Sequence, residues 1–202
     1  IGGYLNYYFD WRAIFYFSFG LNLMITLLML RSLQETSIDI GNKVFSFSLL
    51  FNQYVSVFKS RVYMAYAMTA AFTTCGYIAF MTIMPYIYVD GMGGTSAEYG
   101  NWFLLVSMGY FLGSFAASHL TLKLGLDKMI FLGVILALLA SVLLFGVVFM
   151  GSVVAGIIFS LMGVVTFGRG LLLPNAQSGA VSSINQARGT ASGMMGFMQL
   201  MM

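Results

Sequence analysis

The chain has 202 residues, of which 60% are hydrophobic and only 7% are charged, and its mean hydropathy is +0.91. A soluble domain carries about a quarter charged residues because water must hydrate its surface. This composition therefore excludes a soluble enzyme and indicates a surface that faces lipid. The net charge of +3 is small and spread along the chain, which argues against nucleic acid as a partner.

Long apolar stretches dominate the chain. A helix needs about 20 mostly apolar residues to cross the hydrocarbon core of a bilayer. Five stretches meet this requirement: residues 13–30, 62–89, 101–120, 129–149 and 153–173. A sixth begins near Thr190 and runs to the last residue. The sequence predicts an all-α integral membrane protein with five complete transmembrane helices and part of a sixth, and we expect it to be a fragment of a longer protein.

The polar break after the first span contains one further helix, predicted over residues 44–59. Apolar side chains recur there at helical spacing, and polar ones fall largely elsewhere. The apolar set is Phe47, Leu50, Phe51, Tyr54, Val55 and Phe58. This pattern is typical of an amphipathic helix that lies in the lipid headgroup region.

Basic residues are distributed unequally between the breaks. If successive spans alternate in direction, eight of the nine Lys and Arg residues fall on one side and Arg12 on the other. The eight are Arg31, Lys43, Lys59, Arg61, Lys123, Lys128 and Arg188, with Arg169 taken as lying near the same end of its helix. The positive-inside rule makes that side cytoplasmic.

No residue pattern indicates a catalytic site, a metal or a cofactor, since the chain has one His and one Cys. We therefore expect no enzymatic activity. No carboxylate falls in the middle of a predicted span, so a proton-carrying acid at membrane depth is expected outside this sequence. His119, close to Lys123, is either part of a proton relay or an interfacial anchor.

Two features of the spans leave alternatives open. Arg169, flanked by Gly168 and Gly170, either meets an anionic group or a gate carboxylate, or extends to the cytoplasmic interface. The second span carries a stripe of aromatic, hydroxyl and Met side chains that suits either a cavity for amphipathic molecules or ordinary packing. The stripe is Tyr66, Ala70, Thr73, Tyr77 and Met81, with Phe72, Gly76 and Phe80 beside it.

Small residues spaced four apart predict close helix contacts at two places. The pairs are Gly109 with Gly113 and Gly189 with Gly193.

Several short patterns, in order along the chain, resemble those of one transporter family. They are Gly2-Gly3 before Asp10-Trp11-Arg12 and Ile14-Phe15, then Leu33-Gln34-Glu35-Thr36, then Pro174-Asn175-Ala176-Gln177 with Gly189-Thr190-Ala191-Ser192-Gly193 and Gln199. Together with the topology, they resemble the major facilitator superfamily and, within it, the Bcr/CflA branch of bacterial drug:proton antiporters. The resemblance runs from the end of the fifth helix into the eleventh of twelve.

The resemblance implies three parts: residues 1–31 as the last helix of an amino-terminal bundle, 32–61 as a central cytoplasmic linker, and 62–202 as a carboxy-terminal bundle. It implies alternating access in a multi-pass protein of the bacterial inner membrane, with a small-molecule substrate and protons as the coupling partner. We expect a monomer, although no residue pattern indicates the oligomeric state. We expect efflux of drug-like, amphipathic molecules. The alternatives are a carrier of sugars, organic acids or metabolites, and a non-transporting membrane subunit.

The resemblance also places faces of the seventh, eighth, tenth and eleventh helices at a central substrate cavity, and residues are assigned on the seventh and the eleventh. The expected substrate-binding residues are Tyr66, Thr73, Tyr77 and Met81 on the former, and Met195, Gly196 and Gln199 on the latter.

Overall fold

The chain is helical apart from short turns in the residues that the computed structural model describes, which are 5, 8–32, 47–151, 154–184 and 188–202. Its helices are α1 (Trp11–Ser32), α2 (Phe47–Lys59), α3 (Arg61–Tyr86), α4 (Ser96–Leu124), α5 (Leu126–Phe149), α6 (Ala155–Ser182) and α7 (Arg188–Met201). A π-helical turn, Ile87–Gly91, continues α3 after Pro85. Five of these helices are long and apolar enough to span a membrane: α1, α3 with its π turn, α4, α5 and α6. The predicted fold class and the number of complete spans are confirmed.

The helix boundaries follow from local signals that cap exposed backbone groups. The Thr95 hydroxyl accepts a hydrogen bond from the Glu98 amide at 3.3 Å, and the Glu98 carboxylate accepts one from the Thr95 amide at 2.9 Å. This capping box starts α4. Between α4 and α5 the chain reverses at Gly125, whose φ of 84° is a conformation that favours glycine.

Helix α6 is the centre of the bundle because glycines let α4 and α5 approach its backbone. A Cβ at Gly109 would overlap the Gly163 carbonyl oxygen, and one at Gly113 would overlap that of Phe167. On the other side of α6, a Cβ at Gly133 would lie 2.5 Å from the Gly168 carbonyl oxygen. The close contact predicted for Gly109 and Gly113 is therefore confirmed.

The second predicted glycine pair does not form such a contact with any residue that the structure describes. Within the described part of the chain, no atom lies within 4 Å of a Cβ built at Gly189 or Gly193. A close contact at these two glycines stays a prediction, because the spacing does not say which helix faces that side of α7.

Helices α3 to α6 alternate in direction, as the sequence predicts. The Tyr63 hydroxyl donates to the Ala191 carbonyl at 2.6 Å, which sets the starts of α3 and α7 side by side. The Tyr66 hydroxyl reaches Asp127 at the start of α5. Because Arg61, Lys123, Lys128 and Arg188 lie at these helix ends, we call this the basic end of the bundle. At the opposite end, the Trp102 indole N–H donates to the Tyr88 hydroxyl at 3.1 Å, and both rings pack against Phe159.

Helix α2 occurs as predicted from Phe47 onward, while residues 44–46 lie outside the described ranges. It packs on the basic end, where Val57 is fully buried and Gln53 accepts a 3.0 Å hydrogen bond from Thr190. Phe51 and Phe58 remain exposed. An apolar face of α2 is thus available for contact with lipid. The location of α2 in the headgroup region stays a prediction.

Helix α1 has no buried residue, so its packing partners are not among the described helices. The patterns at Gly2-Gly3 and Leu33-Gln34-Glu35-Thr36 lie outside the described residues.

Candidate functional site

Arg169 lies in the middle of the membrane-spanning bundle, not near the basic end where the sequence analysis placed it. Helix α6 extends from Ala155 to Ser182, so Arg169 has 14 residues before it and 13 after it. At a rise of 1.5 Å per residue, the Arg169 backbone is about 20 Å from either end of the helix. The error arose because the polar stretch from Pro174 onward was read as the end of this span.

The helix continues through Pro174 because its backbone groups find other partners. Proline lacks the N–H that would bond to the Gly170 carbonyl four residues earlier. In this bundle the Ser114 hydroxyl of α4 donates to that carbonyl at 3.5 Å. Hydroxyl side chains commonly satisfy a carbonyl freed in this way in membrane helices. The next turn is also tied down, since the buried Asn175 amide donates to the Leu171 carbonyl at 2.7 Å and its oxygen accepts from Thr121.

Arg169 is held at this depth by aromatic rings. Its guanidinium carbon is 4.3 Å from the ring centroid of Tyr77 on α3 and 5.5 Å from that of Tyr110 on α4. Such cation–π contacts are stronger where the cation is removed from water. Its Nη2 also donates a long hydrogen bond of 3.4 Å to the Thr74 hydroxyl. These contacts rule out a side chain extended to the interface, and they leave the interpretation in which Arg169 meets an anionic group or a gate carboxylate.

The charge of Arg169 is only partly compensated. Its Nε is buried and has no hydrogen-bond partner among the described residues. No carboxylate in the described part of the chain forms an ion pair with the guanidinium, and the nearest charged or titratable neighbours are tyrosines. A buried arginine normally pairs with an acid or with backbone carbonyls. The side chain therefore retains donors for a further partner.

A cavity of about 370 Å³ opens beside Arg169 between α3, α5 and α6. Its wall is mainly apolar and aromatic, with a few hydroxyl groups and the one cation. The lining residues are Phe72, Thr73, Gly76, Tyr77, Phe80, Val134, Ala137, Leu138, Ser141, Leu144, Met162, Val165, Thr166 and Arg169. Apolar walls with few polar groups, in a volume of this order, are typical of small-molecule sites.

The structure brings two of the predicted substrate residues on α3 to this cavity. Thr73 and Tyr77 line it, although the Thr73 hydroxyl is occupied by a 2.9 Å hydrogen bond to its own helix. Tyr66 lies at the basic end, where its hydroxyl donates to Asp127 at 2.6 Å. Met81 is 40% exposed and does not belong to the cavity lining.

The predicted residues of α7 do not reach the cavity. Met195 is buried in the contact of α7 with α3 and α6, Gly196 is exposed, and Gln199 is half-buried. The two predicted faces therefore do not meet in one cavity within the described residues. A substrate role for Tyr66, Met81, Met195, Gly196 and Gln199 stays a prediction.

The sequence analysis missed the contribution of α5, which supplies Val134, Ala137, Leu138, Ser141 and Leu144 to the wall. This helix is almost uniformly apolar, so no polar residue marks which of its faces meets a cavity. The two glycines that flank Arg169 were the one feature of the sequence that could have indicated its position between helices. Gly168 packs against α5 and Gly170 against α4, and this leaves the side chain between them directed toward α3.

Comparisons with known proteins agree with this architecture. The Major Facilitator Superfamily profile matches residues 1–202. A bicyclomycin resistance protein homolog of Haemophilus influenzae is 23% identical over 198 residues, covering 97% of this chain and 49% of that protein. An uncharacterized transporter of Rickettsia felis is 27% identical over 207 residues, covering 97% of this chain and 50% of that protein. The chain thus spans about half the length of the curated relatives it matches.

Proposed function

This chain belongs to the major facilitator superfamily, and we propose that the intact protein is a secondary active transporter that exports drug-like, amphipathic molecules in exchange for protons. The observation that carries the proposal is the cation at mid-membrane depth beside a cavity between spanning helices. Charged residues at that depth are costly and, where they occur, mark substrate or ion pathways. A transporter therefore accounts for Arg169 better than an enzyme or a purely structural subunit does.

The composition of the cavity supports an amphipathic substrate. Phe72, Tyr77, Phe80 and Met162 offer broad apolar contact, while the Thr73 hydroxyl, whose proton is donated to its own helix, retains an oxygen that can accept a hydrogen bond. Aromatic and Met side chains adapt to ligands of different shape because their contacts are non-directional and Met is flexible. The resistance named for the Haemophilus relative is in keeping with drug efflux.

Proton coupling and location rest on the family and on the charge pattern. We propose that the basic end faces the cytoplasm of a bacterial cell, in keeping with the positive-inside rule. The acids in the spanning helices of the described chain lie at helix ends: Asp90, Glu98 and Asp127. The group that carries the proton at depth is therefore expected in another part of the intact protein.

The proposal is tested by drug accumulation in cells that express the intact protein at matched levels. Expression should lower the accumulation of several amphipathic compounds, and a protonophore should restore it. Tyr77→Ala should change the order of preference among the compounds, because one contact of an adaptable site is worth on the order of 1 kcal/mol. Ile78→Ala, an exposed neighbour outside the cavity lining, is the matched control. Accumulation equal to that of cells without the protein, for every compound, would overturn the proposal.

Met81→Ala tests the remaining part of the sequence prediction in the same assay. A changed preference would place Met81 at the substrate pathway despite its position outside the 370 Å³ cavity. An unchanged preference would assign it to packing or lipid contact.

A further inference from the structure

The unmet hydrogen-bonding capacity of Arg169 indicates what kind of group the cavity receives. A guanidinium has five N–H donors and no acceptor. Within the described residues, the Thr74 hydroxyl is the acceptor that Arg169 meets, and the buried Nε has none. Tyr77 and Tyr110 present ring faces, which attract the charge but accept no strong hydrogen bond. The missing partner is therefore an acceptor, and a charged one compensates best.

We propose that the cavity beside Arg169 is a carboxylate-binding subsite, and that the substrates of this site are aromatic or amphipathic molecules bearing a carboxylate group. The inference rests on the proposed transport function and narrows its substrate class. A carboxylate has two oxygens that match two adjacent N–H groups of a guanidinium, so the pair forms two parallel hydrogen bonds. A single-atom anion lacks that match.

The walls of the cavity specify the rest of the ligand. Phe72, Phe80 and Leu138 line it together with Arg169, and such side chains favour a ring or an alkyl chain. Its volume of about 370 Å³ is near the small end of the usual range for ligand pockets. A molecule of one or two rings with one carboxylate combines these requirements.

Moving such a ligand from water to this depth is favourable only if its negative charge is paired with a positive charge there. Arg169 is the one Lys or Arg among the described residues that line the cavity, while Arg61, Lys123, Lys128 and Arg188 lie at the basic end. Arg169 is accordingly the group on which discrimination between a carboxylate and its neutral amide depends. An amide has the same shape but presents a neutral oxygen and an N–H₂ group to a site of donors.

The test compares the affinities of the purified intact protein in detergent for two carboxylic acids and for the corresponding amides. The probes are radiolabelled benzoate and 2-naphthoate, with benzamide and 2-naphthamide as neutral counterparts, measured by equilibrium dialysis against empty micelles. We expect each acid to bind at least about tenfold more tightly than its amide, since a hydrogen bond to a charged group is stronger than one between neutral groups. Equal binding of acid and amide, or no binding of either acid, overturns the proposal without any variant.

Variants then assign the preference to one residue. Arg169→Gln should reduce the acid-to-amide ratio to about one, and Arg169→Lys should retain part of it, since charge remains while the paired geometry is lost. Arg188→Gln removes the same charge from an exposed position at the basic end and should leave the ratio unchanged. A wild-type ratio in Arg169→Gln refutes the assignment.

The two proposals fail in different ways. Binding in the expected pattern, without export of any compound from cells, overturns the transport function and leaves the carboxylate subsite standing. Export of amphipathic compounds with no preference for acids in the dialysis overturns the subsite alone.

Discussion

Replacing Gly170 by alanine tests whether glycine contacts set the position of Arg169. A Cβ at this position would lie 2.5 Å from the Tyr110 carbonyl oxygen, 2.7 Å from the Ser114 amide nitrogen and 3.0 Å from the Gly113 carbonyl carbon. All three are backbone atoms of α4, so no side-chain rotation relieves the overlap. For the closest atom to reach 3.4 Å, the two helices must separate by about 0.9 Å.

The expected loss of stability combines two opposing effects. Forcing one extra carbon into a tightly packed contact costs about 1–3 kcal/mol, and three backbone overlaps place this site at the upper end. Alanine recovers about 1 kcal/mol because it is the better helix former. We therefore expect Gly170→Ala to lower the free energy of unfolding by about 2 kcal/mol.

The assay is reversible unfolding of the intact protein in mixed micelles, with Gly146→Ala as the matched control. Gly146 lies in α5 with no atom within 4 Å of the added Cβ, so its substitution should be neutral or stabilise by up to about 1 kcal/mol. Equal stability of the two variants would show that α4 and α6 are not in close contact in the folded protein.

Three further predictions follow from named contacts. In a protein that lacks its native cysteine, a single cysteine introduced at Gly93 should react with an impermeant thiol reagent added outside the cell, and one introduced at Gly125 should not. Labelling at Gly125 from outside would show that the predicted topology is wrong. Phe51→Glu should lower the partitioning of a peptide of α2 into vesicles, because it places a charge in the exposed apolar face, and unchanged partitioning would remove the interfacial role. Tyr63→Phe should lower the free energy of unfolding by about 1 kcal/mol and Tyr66→Phe by less, because the Tyr63 hydroxyl is hydrogen-bonded inside the core and the Tyr66 hydroxyl at the surface. Unfolding in micelles that shows the larger loss for Tyr66→Phe would contradict the burial described for the two residues.

The number of complete spans was predictable because it depends on local properties, while their orientation in the membrane stays a prediction. Hydrophobic length identifies a span without any knowledge of its neighbours, and the Lys/Arg distribution follows the alternation of the connecting segments. The start of α4 was not predicted, since the span was expected from residue 101, whereas the capping box of Thr95 and Glu98 starts the helix at Ser96. The first glycine pair of α4 pointed to a close contact, which the structure locates against α6.

The features that depend on another helix were not predictable. The end of α6 was misplaced at Pro174 because the compensating hydroxyl, Ser114, lies 56 residues away in sequence. The depth of Arg169 followed that same error. Helical spacing also does not say which neighbour a stripe meets: Met195 is buried together with residues of α3 and α6, and its substrate role stays a prediction.

Transport by the reconstituted intact protein tests the central claim most directly, namely that small molecules cross the membrane through the cavity beside Arg169. Liposomes containing the wild-type protein or Arg169→Gln, with equal protein incorporation, would be given a pH gradient, and uptake of radiolabelled 2-naphthoate would be followed over time. Our account predicts gradient-dependent uptake by the wild type and a rate close to that of empty liposomes for Arg169→Gln, with Arg188→Gln behaving as the wild type. Equal uptake by Arg169→Gln and the wild type would contradict it.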